Sequence, residues 1–129
     1  EKVSYALDIS LVQEIIRPPQ ITPLPQTPDY FLGIANMRGC IVPVIDPARL
    51  LTGRFLELQE ASRVIVLEVN AQKFGIMVGS VSEVIRITAE NLQTEELLSG
   101  IATTNLLGIA RINDKLILLP NPACFIGHR

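Results

Sequence analysis

The sequence predicts an all-β fold built from two similar β units. Short apolar segments alternate with turn signals along the chain, a pattern typical of small barrels rather than of a parallel α/β sheet. Gly33-Ile34-Ala35 recurs 75 positions later as Gly108-Ile109-Ala110, and Pro47-Ala48 recurs as Pro122-Ala123. Because two copies are too few for a solenoid, we expect a duplicated pair of small β units packed on one another.

Composition restricts the class of protein. The chain has 129 residues, enough for one domain with a sizeable core, and 48% of them are hydrophobic. No uninterrupted apolar run approaches the roughly 18 to 20 residues of a membrane span, so direct membrane insertion is not expected. The net charge of −2, without a basic block and with only four Phe and two Tyr, argues against nucleic acid as a partner.

The N-terminal part is predicted to contain a strand, a helix and a connector. Residues 3–9 alternate apolar and polar side chains, which is the period of a half-buried strand. Asp8 or Ser10 is placed to cap a short helix over residues 11–16. Residues 20–28 are rich in proline and are predicted to lie as a strand along the barrel edge, with a PxxP ligand for an SH3 domain as the alternative.

The rest of the chain is organised around residues 33–51. Two apolar runs flank Arg38-Gly39, where glycine supplies the positive φ of a tight reversal, so a β-hairpin is predicted. Pro47 has no N–H to donate to a ladder and therefore ends the second strand. Residues 48–51 are predicted to form one helical turn after it.

A polar and acidic link, residues 52–62, is the best candidate for a boundary between the two units. It gives approximate halves 1–58 and 59–129, with strands expected to be exchanged between them. A second internal similarity relates residues 5–17 to residues 74–86, which share Val, Glu, Ile and Arg at equivalent positions.

Two further hairpins are predicted after the link. The first pairs residues 63–69 with residues 74–78, and the second pairs residues 102–113 with residues 115–119 across an Asn-Asp turn. Asn and Asp tolerate the left-handed backbone conformation that such a turn needs. Residues 81–87 are predicted as a helix by the repeat and as a strand by their β-branched side chains.

Residues with the chemistry of an active site are scarce. His128 is the only histidine, and Cys40 and Cys124 are far apart and belong to no CxxC motif. We predict no catalytic residue, no metal site and no cofactor, because there is no GxGxxG, no Walker loop and no set of zinc ligands. The cysteines are expected to be buried or half-buried free thiols, although a disulfide is possible if the two repeated hairpins lie side by side.

Glu14 and Arg38 are the charged residues with a predicted role. A carboxylate that held Arg38 through two hydrogen bonds would fix the hairpin to the segment before it. The alternative is that both are unrelated solvated charges, since exposed pairs contribute little. Glu83 repeats Glu14, but the counterpart of Arg38 is Asn113, so we expect only the first copy to carry this pair.

Several motifs together resemble a known family. The runs YALDISLVQEII, ITPLP, TPDYFLGIANMRGCIVPVIDP and GIMVGSVSEVIRI are similar to those of the CheW-like domain of bacterial chemotaxis coupling proteins. The resemblance covers nearly the whole chain. It implies a fold of two interlocked five-stranded SH3-like β-barrels with short helices, in agreement with the duplication.

The resemblance also implies a function and a site. The family consists of non-enzymatic adaptors in chemotaxis or motility signal transduction, which couple the cytoplasmic tips of methyl-accepting chemoreceptors to the regulatory domain of a CheA-type histidine kinase. The implied location is cytoplasmic, at membrane-associated receptor arrays. The implied kinase contact is mainly on the second barrel and cannot be assigned to residues. The residues implied to face the receptor are Val12, Glu14, Ile15, Arg38, Gly39 and Ile41, and Glu14 and Arg38 are implied to form the family's ion pair.

The chain departs from the family pattern at three places. The pattern has a further strand before Val3, an Asp at the position of Gly79, and a last strand that runs into an Asp and a closing helix. Pro120 and Pro122 make that ending irregular in this chain. Whether one barrel closes depends on the missing first strand. The three departures together also fit a paralogue that serves a non-chemotaxis array, such as a pilus-motility pathway. Two other readings are the regulatory domain of a larger kinase or receiver-containing hub, and a barrel that binds a small molecule.

Overall fold

The computed structural model describes residues 4–54, 56–82, 84–87, 90 and 106–125. The strands in this part of the chain are β1 (Ser4–Tyr5), β2 (Val12–Ile16), β3 (Phe31–Met37), β4 (Cys40–Ile45), β5 (Arg63–Val69), β6 (Gln72–Val78), β7 (Leu106–Ile112) and β8 (Lys115–Pro120). The α-helix is α1 (Pro47–Thr52), and single 3-10 turns occupy Ile9–Leu11 and Pro122–Phe125.

The strands form two sheets. One sheet has five strands in the order β2-β5-β6-β4-β3, and the other has three strands in the order β1-β8-β7. The pairs β4 with β6 and β1 with β8 are parallel, and the remaining pairs are antiparallel. The prediction of an all-β fold with short helices is therefore confirmed.

The chain divides into two compact units. One unit is Ile9–Ser82, and the other joins Glu1–Asp8 to Glu83–Arg129. This division differs from the predicted halves at residue 58, because β5 and β6 pair within the same sheet as β2 and β4. The polar link only carries the chain from α1 to β5. The N-terminal strand β1 pairs with β8 and belongs to the C-terminal unit.

The three predicted hairpins are confirmed. Each reverses through two residues with positive φ: 55° and 82° at Arg38-Gly39, 52° and 66° at Asn70-Ala71, and 52° and 65° at Asn113-Asp114. Two consecutive left-handed residues define the tight turn whose twist matches that of paired strands. Asn at the first position of two of these turns lowers the cost of that conformation.

The strand pairing of the β3–β4 hairpin recurs in the β7–β8 hairpin with the same offset of 75 residues that relates their sequences. Gly33 lies opposite Val44 after a bulge in β3, and Gly108 lies opposite Leu119 after a bulge in β7. Both partners in the second pair are displaced by 75 positions from those in the first. The duplication therefore includes the irregularity of the hairpin as well as its turn.

The prediction of a helix over residues 11–16 is wrong. A 3-10 turn at Ile9–Leu11 leads directly into β2, whose residues pair with β5, Ile15 opposite Ile65 and Ile16 opposite Val64. Three of the five residues of β2 are β-branched, and such side chains fit a pleated surface better than a helix. The ladder offered by β5 outweighs the local capping signals at Asp8 and Ser10.

Other predicted segments are shorter than expected. Strand β1 covers only Ser4–Tyr5, and the edge strand in the proline-rich connector is a single bridge between Thr22 and Ile34. Residues 81, 82 and 84–87 are neither helix nor strand, so the second internal similarity does not correspond to a repeated element. Val3, Glu83, His128 and the side chain of Cys124 lie outside the described residues.

The five-stranded sheet curls so that its edge strands β2 and β3 approach each other. In a flat sheet they would be four spacings apart, roughly 19 Å at about 4.8 Å per spacing. Instead, Ile16 from β2 and Met37 from β3 pack on the same core cluster. The buried members of that cluster are Ala35, Val44, Val64, Val66 and Met77. The unit Ile9–Ser82 therefore has the curled form of a small barrel.

Within the described ranges no helix is long and apolar enough to cross a membrane. The same part of the chain holds no group of three or more His, Cys, Asp or Glu side chains arranged to bind a metal ion.

Candidate functional site

Glu14 and Arg38 meet at the seam between the two edge strands. Arg38 lies in the β3–β4 turn, and its Nε and Nη2 atoms donate hydrogen bonds to Glu14 Oε2 and Oε1 over 3.1 and 2.9 Å. This side-on, two-point geometry is the strong form of an Arg–carboxylate contact. The pair joins strands that are not neighbours in the sheet and so ties the hairpin to β2.

The pair is asymmetric in its exposure. The Glu14 side chain is 28% exposed, whereas the Arg38 side chain is 80% exposed. Glu14 lies opposite Val66 in the ladder, at the edge of the core face, so its carboxylate is recessed. Arg38 leans over the carboxylate from the turn and presents the rest of its guanidinium to solvent.

Electrostatics favour the charged form of both groups. The hydrogen bond from Arg38 is the main reason that the pKa of Glu14 lies below its ordinary value; partial burial opposes this shift, and the charges of Arg38 and Lys73 add to it. The bond to Glu14 in turn raises the pKa of Arg38. Both groups are therefore ionised at neutral pH.

We expect the Glu14 carboxyl to titrate below the range of an unpaired glutamate and to return toward that range in Arg38→Gln. Because the folded-state pKa is lowered, the contribution of the pair to stability is complete above the ordinary carboxyl pKa and is lost as the pH falls through the lowered value. Carboxyl ¹³C NMR shifts followed against pH measure both midpoints. Equal midpoints in the wild type and the variant would contradict the pairing.

The other predicted site residues lie along the same strands. Ile15 is 47% exposed and points to the opposite face of β2 from Glu14, while Val12 is half-buried opposite Leu67. Ile41 is 61% exposed, two residues beyond Gly39 on β4. The structure brings Glu14 together with the Arg38-Gly39 turn. It places Ile15 and Ile41 in the same sheet.

The turn is held in place by a neighbouring side chain. Gly39 donates its backbone N–H to Asn36 Oδ1 over 3.2 Å. No atom lies within 4 Å of the position that a Cβ at Gly39 would occupy, so φ of 82° rather than crowding favours glycine there. The result is an exposed but conformationally restricted turn.

A groove beside this turn was not predicted. It has a volume of about 380 Å³ and lies between the connector and the β3–β4 hairpin. Its lining includes Pro19, Gln20 and Thr22 from the connector, and Ile34, Asn36 and Ile41 from the hairpin. The prolines of the connector were the only sequence signal for this groove. Its two walls are joined by a single β-bridge, Thr22 with Ile34, and one pairing leaves no periodic pattern in the sequence.

Asp46 and Arg49 support the far end of the hairpin, and the sequence did not single them out. Buried Asp46 caps α1 by accepting from the N–H groups of Ala48 and Arg49 at 3.0 and 3.3 Å, and it also accepts from Leu56 N–H at 3.0 Å. Arg49 binds Asp29 through Nε and Nη2 at 2.9 and 2.6 Å and also contacts Gly53 O. These contacts fix α1 and the end of β4.

Cys40 corrects one expectation. It is a free and exposed thiol at the start of β4, not a buried or half-buried one. Its position next to the turn explains the exposure, since the strand only enters the core at Val42.

Comparison with known proteins identifies the family. The family model described as the CheW-like domain matches residues 1–128. Chemotaxis protein CheW of Klebsiella aerogenes is 35% identical over 116 residues, which cover 89% of this chain and 70% of that protein. Chemotaxis protein CheW of Helicobacter pylori is 36% identical over 118 residues, with coverage of 89% and 70%.

A solved structure agrees with the sequence matches. The crystal structure of the scaffolding protein TtCheW from Thermoanaerobacter tengcongensis has a TM-score of 0.80 and 36% identity, and the match covers 91% of this chain and 76% of that one. The names of these relatives describe chemotaxis and scaffolding, which agrees with the prediction of a protein that is not an enzyme. With a family match over nearly its whole length and a shared fold, this chain belongs to the CheW-like domain family.

Proposed function

We propose that this chain is a non-enzymatic adaptor that couples the cytoplasmic tip of a chemoreceptor to a CheA-type histidine kinase. Its relatives are named as chemotaxis and scaffolding proteins, and such work requires two docking surfaces rather than an active site. The proposed location is the cytoplasm, at membrane-associated receptor arrays. The observation that carries the receptor half of the proposal is the exposed Arg38 turn, which is held by Glu14.

The proposed receptor surface lies on the unit Ile9–Ser82. A receptor tip is helical, and an amphipathic helix binds through an apolar stripe that needs exposed apolar contacts on its partner. Ile15 and Ile41 supply exposed apolar area on the sheet that carries the ion pair. Val12 and Gly39 complete the proposed set.

The proposed kinase surface lies on the other unit, on the repeated hairpin β7–β8. Leu116 occupies the position in the repeat that Ile41 occupies in the first hairpin, and it is 44% exposed. Leu107 on the neighbouring strand is 70% exposed. Equivalent exposed positions on the two hairpins support the assignment of one partner to each unit.

We expect an NMR titration with the helical-hairpin tip of a receptor from the same genome to shift the backbone signals of Val12, Glu14 and the Arg38-Gly39 turn. A separate titration with the regulatory domain of the kinase should shift signals of β7–β8. Absence of shifts with the tip, for a folded sample at millimolar concentration, would contradict the receptor half and favour a regulatory domain of a larger protein.

A matched pair of substitutions tests the apolar part of the surface. Ile41→Ser should weaken tip binding about tenfold, because a central apolar contact contributes more than 1 kcal/mol to such an interface. Leu58→Ser removes an apolar side chain of similar exposure, 64% against 61%, from the polar link and should leave binding unchanged. Equal losses in the two variants would argue against a localised surface.

A further inference from the structure

Two arginines lie on the outer face of the β2–β5 ladder, the face turned away from the core cluster. The register of β2 with β5 ends at Ile16, and one further step along it places Arg17 opposite Arg63, the first residue of β5. Arg17 precedes Pro18, and a residue before proline is restricted to extended conformations, so it continues the line of β2. Since Ile16 and Val64 pack in the core cluster, alternation turns both arginine side chains to the outer face.

Neither arginine has a carboxylate partner among the described residues. The ion pairs in that part of the chain involve other arginines, and the exposed Arg17 side chain takes part in no hydrogen bond there. Arg63 is half-buried and donates from Nη1 to the backbone carbonyls of Glu60 and Ser62 at 3.0 and 2.7 Å. These oxygens are neutral, so they orient the guanidinium without cancelling its charge.

This arrangement costs stability in the unbound protein. Like charges directly opposite each other on paired strands destabilise a sheet. Elsewhere in the same unit an arginine is neutralised, as at Arg49, which binds Asp29 through two nitrogen atoms. A local choice that conflicts with the fold is typical of a binding surface, where the partner supplies the group that the free chain lacks.

An apolar row lies beside the two arginines on the same face. Ile15 is opposite Ile65, two positions along each strand from the arginines. Ile15 is 47% exposed and Ile65 is half-buried, so part of this row is open to solvent. The face therefore presents apolar area with two positive charges next to it.

The spacing of the two rows fits one turn of an α-helix. Two positions along a strand span about 6.7 Å. Residues i and i+4 of a helix are about 6 Å apart along its axis, against about 4.5 Å for i and i+3. A helix that lies along β2 with an apolar side chain over the isoleucines therefore brings the residue four positions away over the arginines. An acidic side chain at that position complements both charges.

We propose that the outer face of β2 and β5 binds a helix of the receptor tip that carries an Asp or Glu four residues from an apolar contact. The apolar side chain packs on Ile15 and Ile65, and the carboxylate lies between Arg17 and Arg63. This inference rests on the proposed receptor-binding function and names the sequence that the tip needs for it. A tip with Lys or Arg at that position binds more weakly, because the surface already holds two positive charges.

The test titrates the full chain with the receptor tip by calorimetry. Arg17→Gln and Arg63→Gln should each weaken binding about fivefold, the loss expected of a charged contact at a partly exposed site. Added salt should reduce the difference between the wild type and these variants. Arg54→Gln makes the same change of net charge at an exposed residue after α1, which follows β4, a strand adjacent to neither β2 nor β5. It should leave binding unchanged.

Stability separates a binding role of Arg17 from a structural one. Because Arg17→Gln removes a repulsion, its unfolding midpoint should equal or exceed that of the wild type while its affinity for the tip falls. A lower midpoint together with a lower affinity would show that Arg17 supports the fold, and the inference would then be wrong.

The tip is varied in parallel. Each exposed Asp or Glu of the tip is replaced by its amide. One replacement, four residues from an apolar residue, should weaken binding to the wild-type chain about fivefold and have little further effect on the variant that lacks both arginines. If the wild-type chain binds the tip but neither arginine substitution weakens binding, or no amide replacement does, the arginine contact is wrong and the adaptor function stands. If the wild-type chain does not bind the tip at all, both proposals are wrong.

Discussion

We expect Gly33→Ala to lower the free energy of unfolding by about 3 kcal/mol, the sum of a strained backbone and an overpacked contact. Gly33 has φ of 145°, a conformation that side chains rarely adopt, and an added Cβ would lie 2.7 Å from the carbonyl carbon of Thr22. The same Cβ would lie 2.8 Å from Ile21 Cγ2. The connector has to move, which breaks its hydrogen bonds to Ile34 at 2.8 and 2.9 Å.

The internal repeat supplies the matched control for this substitution. Gly108 occupies the same place in the second bulge, but its φ lies outside the left-handed region and the nearest atom to an added Cβ is Leu119 Cδ1 at 3.9 Å. Gly108→Ala should therefore change stability by less than about 1 kcal/mol. Urea denaturation of both variants measures the difference, and equal losses would show that the connector does not restrict residue 33.

Asp46→Ala should destabilise the protein by about 2 to 4 kcal/mol. The Asp46 side chain is 2% exposed and accepts three backbone N–H bonds, from Ala48, Arg49 and Leu56. Loss of a helix cap costs about 0.5 to 2 kcal/mol, and each buried donor left without a partner adds about 1 to 3 kcal/mol, part of which water recovers near a surface helix. Thermal and urea denaturation both measure this effect.

Two controls separate the cap from general loss of charge. Asp46→Asn keeps one acceptor oxygen and should lose about half as much stability as the alanine variant. Asp29→Ala removes the partner of Arg49, but that carboxylate is 54% exposed, so its loss should change the unfolding midpoint little. A large effect at Asp29 together with none at Asp46 would contradict this assignment.

Elements whose signals are local were predictable from the sequence. The turns at Arg38-Gly39 and Asn113-Asp114 are specified by two residues that accept positive φ between apolar runs, and both hairpins form where expected. The short helix that begins at Pro47 was also signalled by adjacent residues. In each of these elements, the residues that determine the backbone conformation lie within a few positions of the residues that adopt it.

Elements whose cause is distant in sequence were not predictable from local patterns. Residues 12–16 form a strand because β5 offers a ladder about fifty residues later, and a five-residue apolar segment does not distinguish helix from strand by period. The same holds for the connector, where Thr22 pairs with Ile34 at one point only. The compact units divide at residue 82 rather than near residue 58, because β5 and β6 complete the first sheet.

The candidate site was only partly predictable. The sequence alone favoured two solvated charges over a Glu14–Arg38 contact, and only the family resemblance favoured the contact that the structure shows. The cap at Asp46 had a local signal, an Asp followed directly by Pro, but its third hydrogen bond, from the distant Leu56 N–H, had none.

The parallel pairing of β1 with β8 sets the order in which the chain can fold during synthesis. Strands β2 to β6 of the unit Ile9–Ser82 are synthesised before β8, so that barrel can close first. Ser4 can pair only after Ile117 has been synthesised, which takes on the order of ten seconds at a translation rate of roughly 5 to 20 residues per second. During this interval β1 lacks the strand with which it pairs in the described part of the chain.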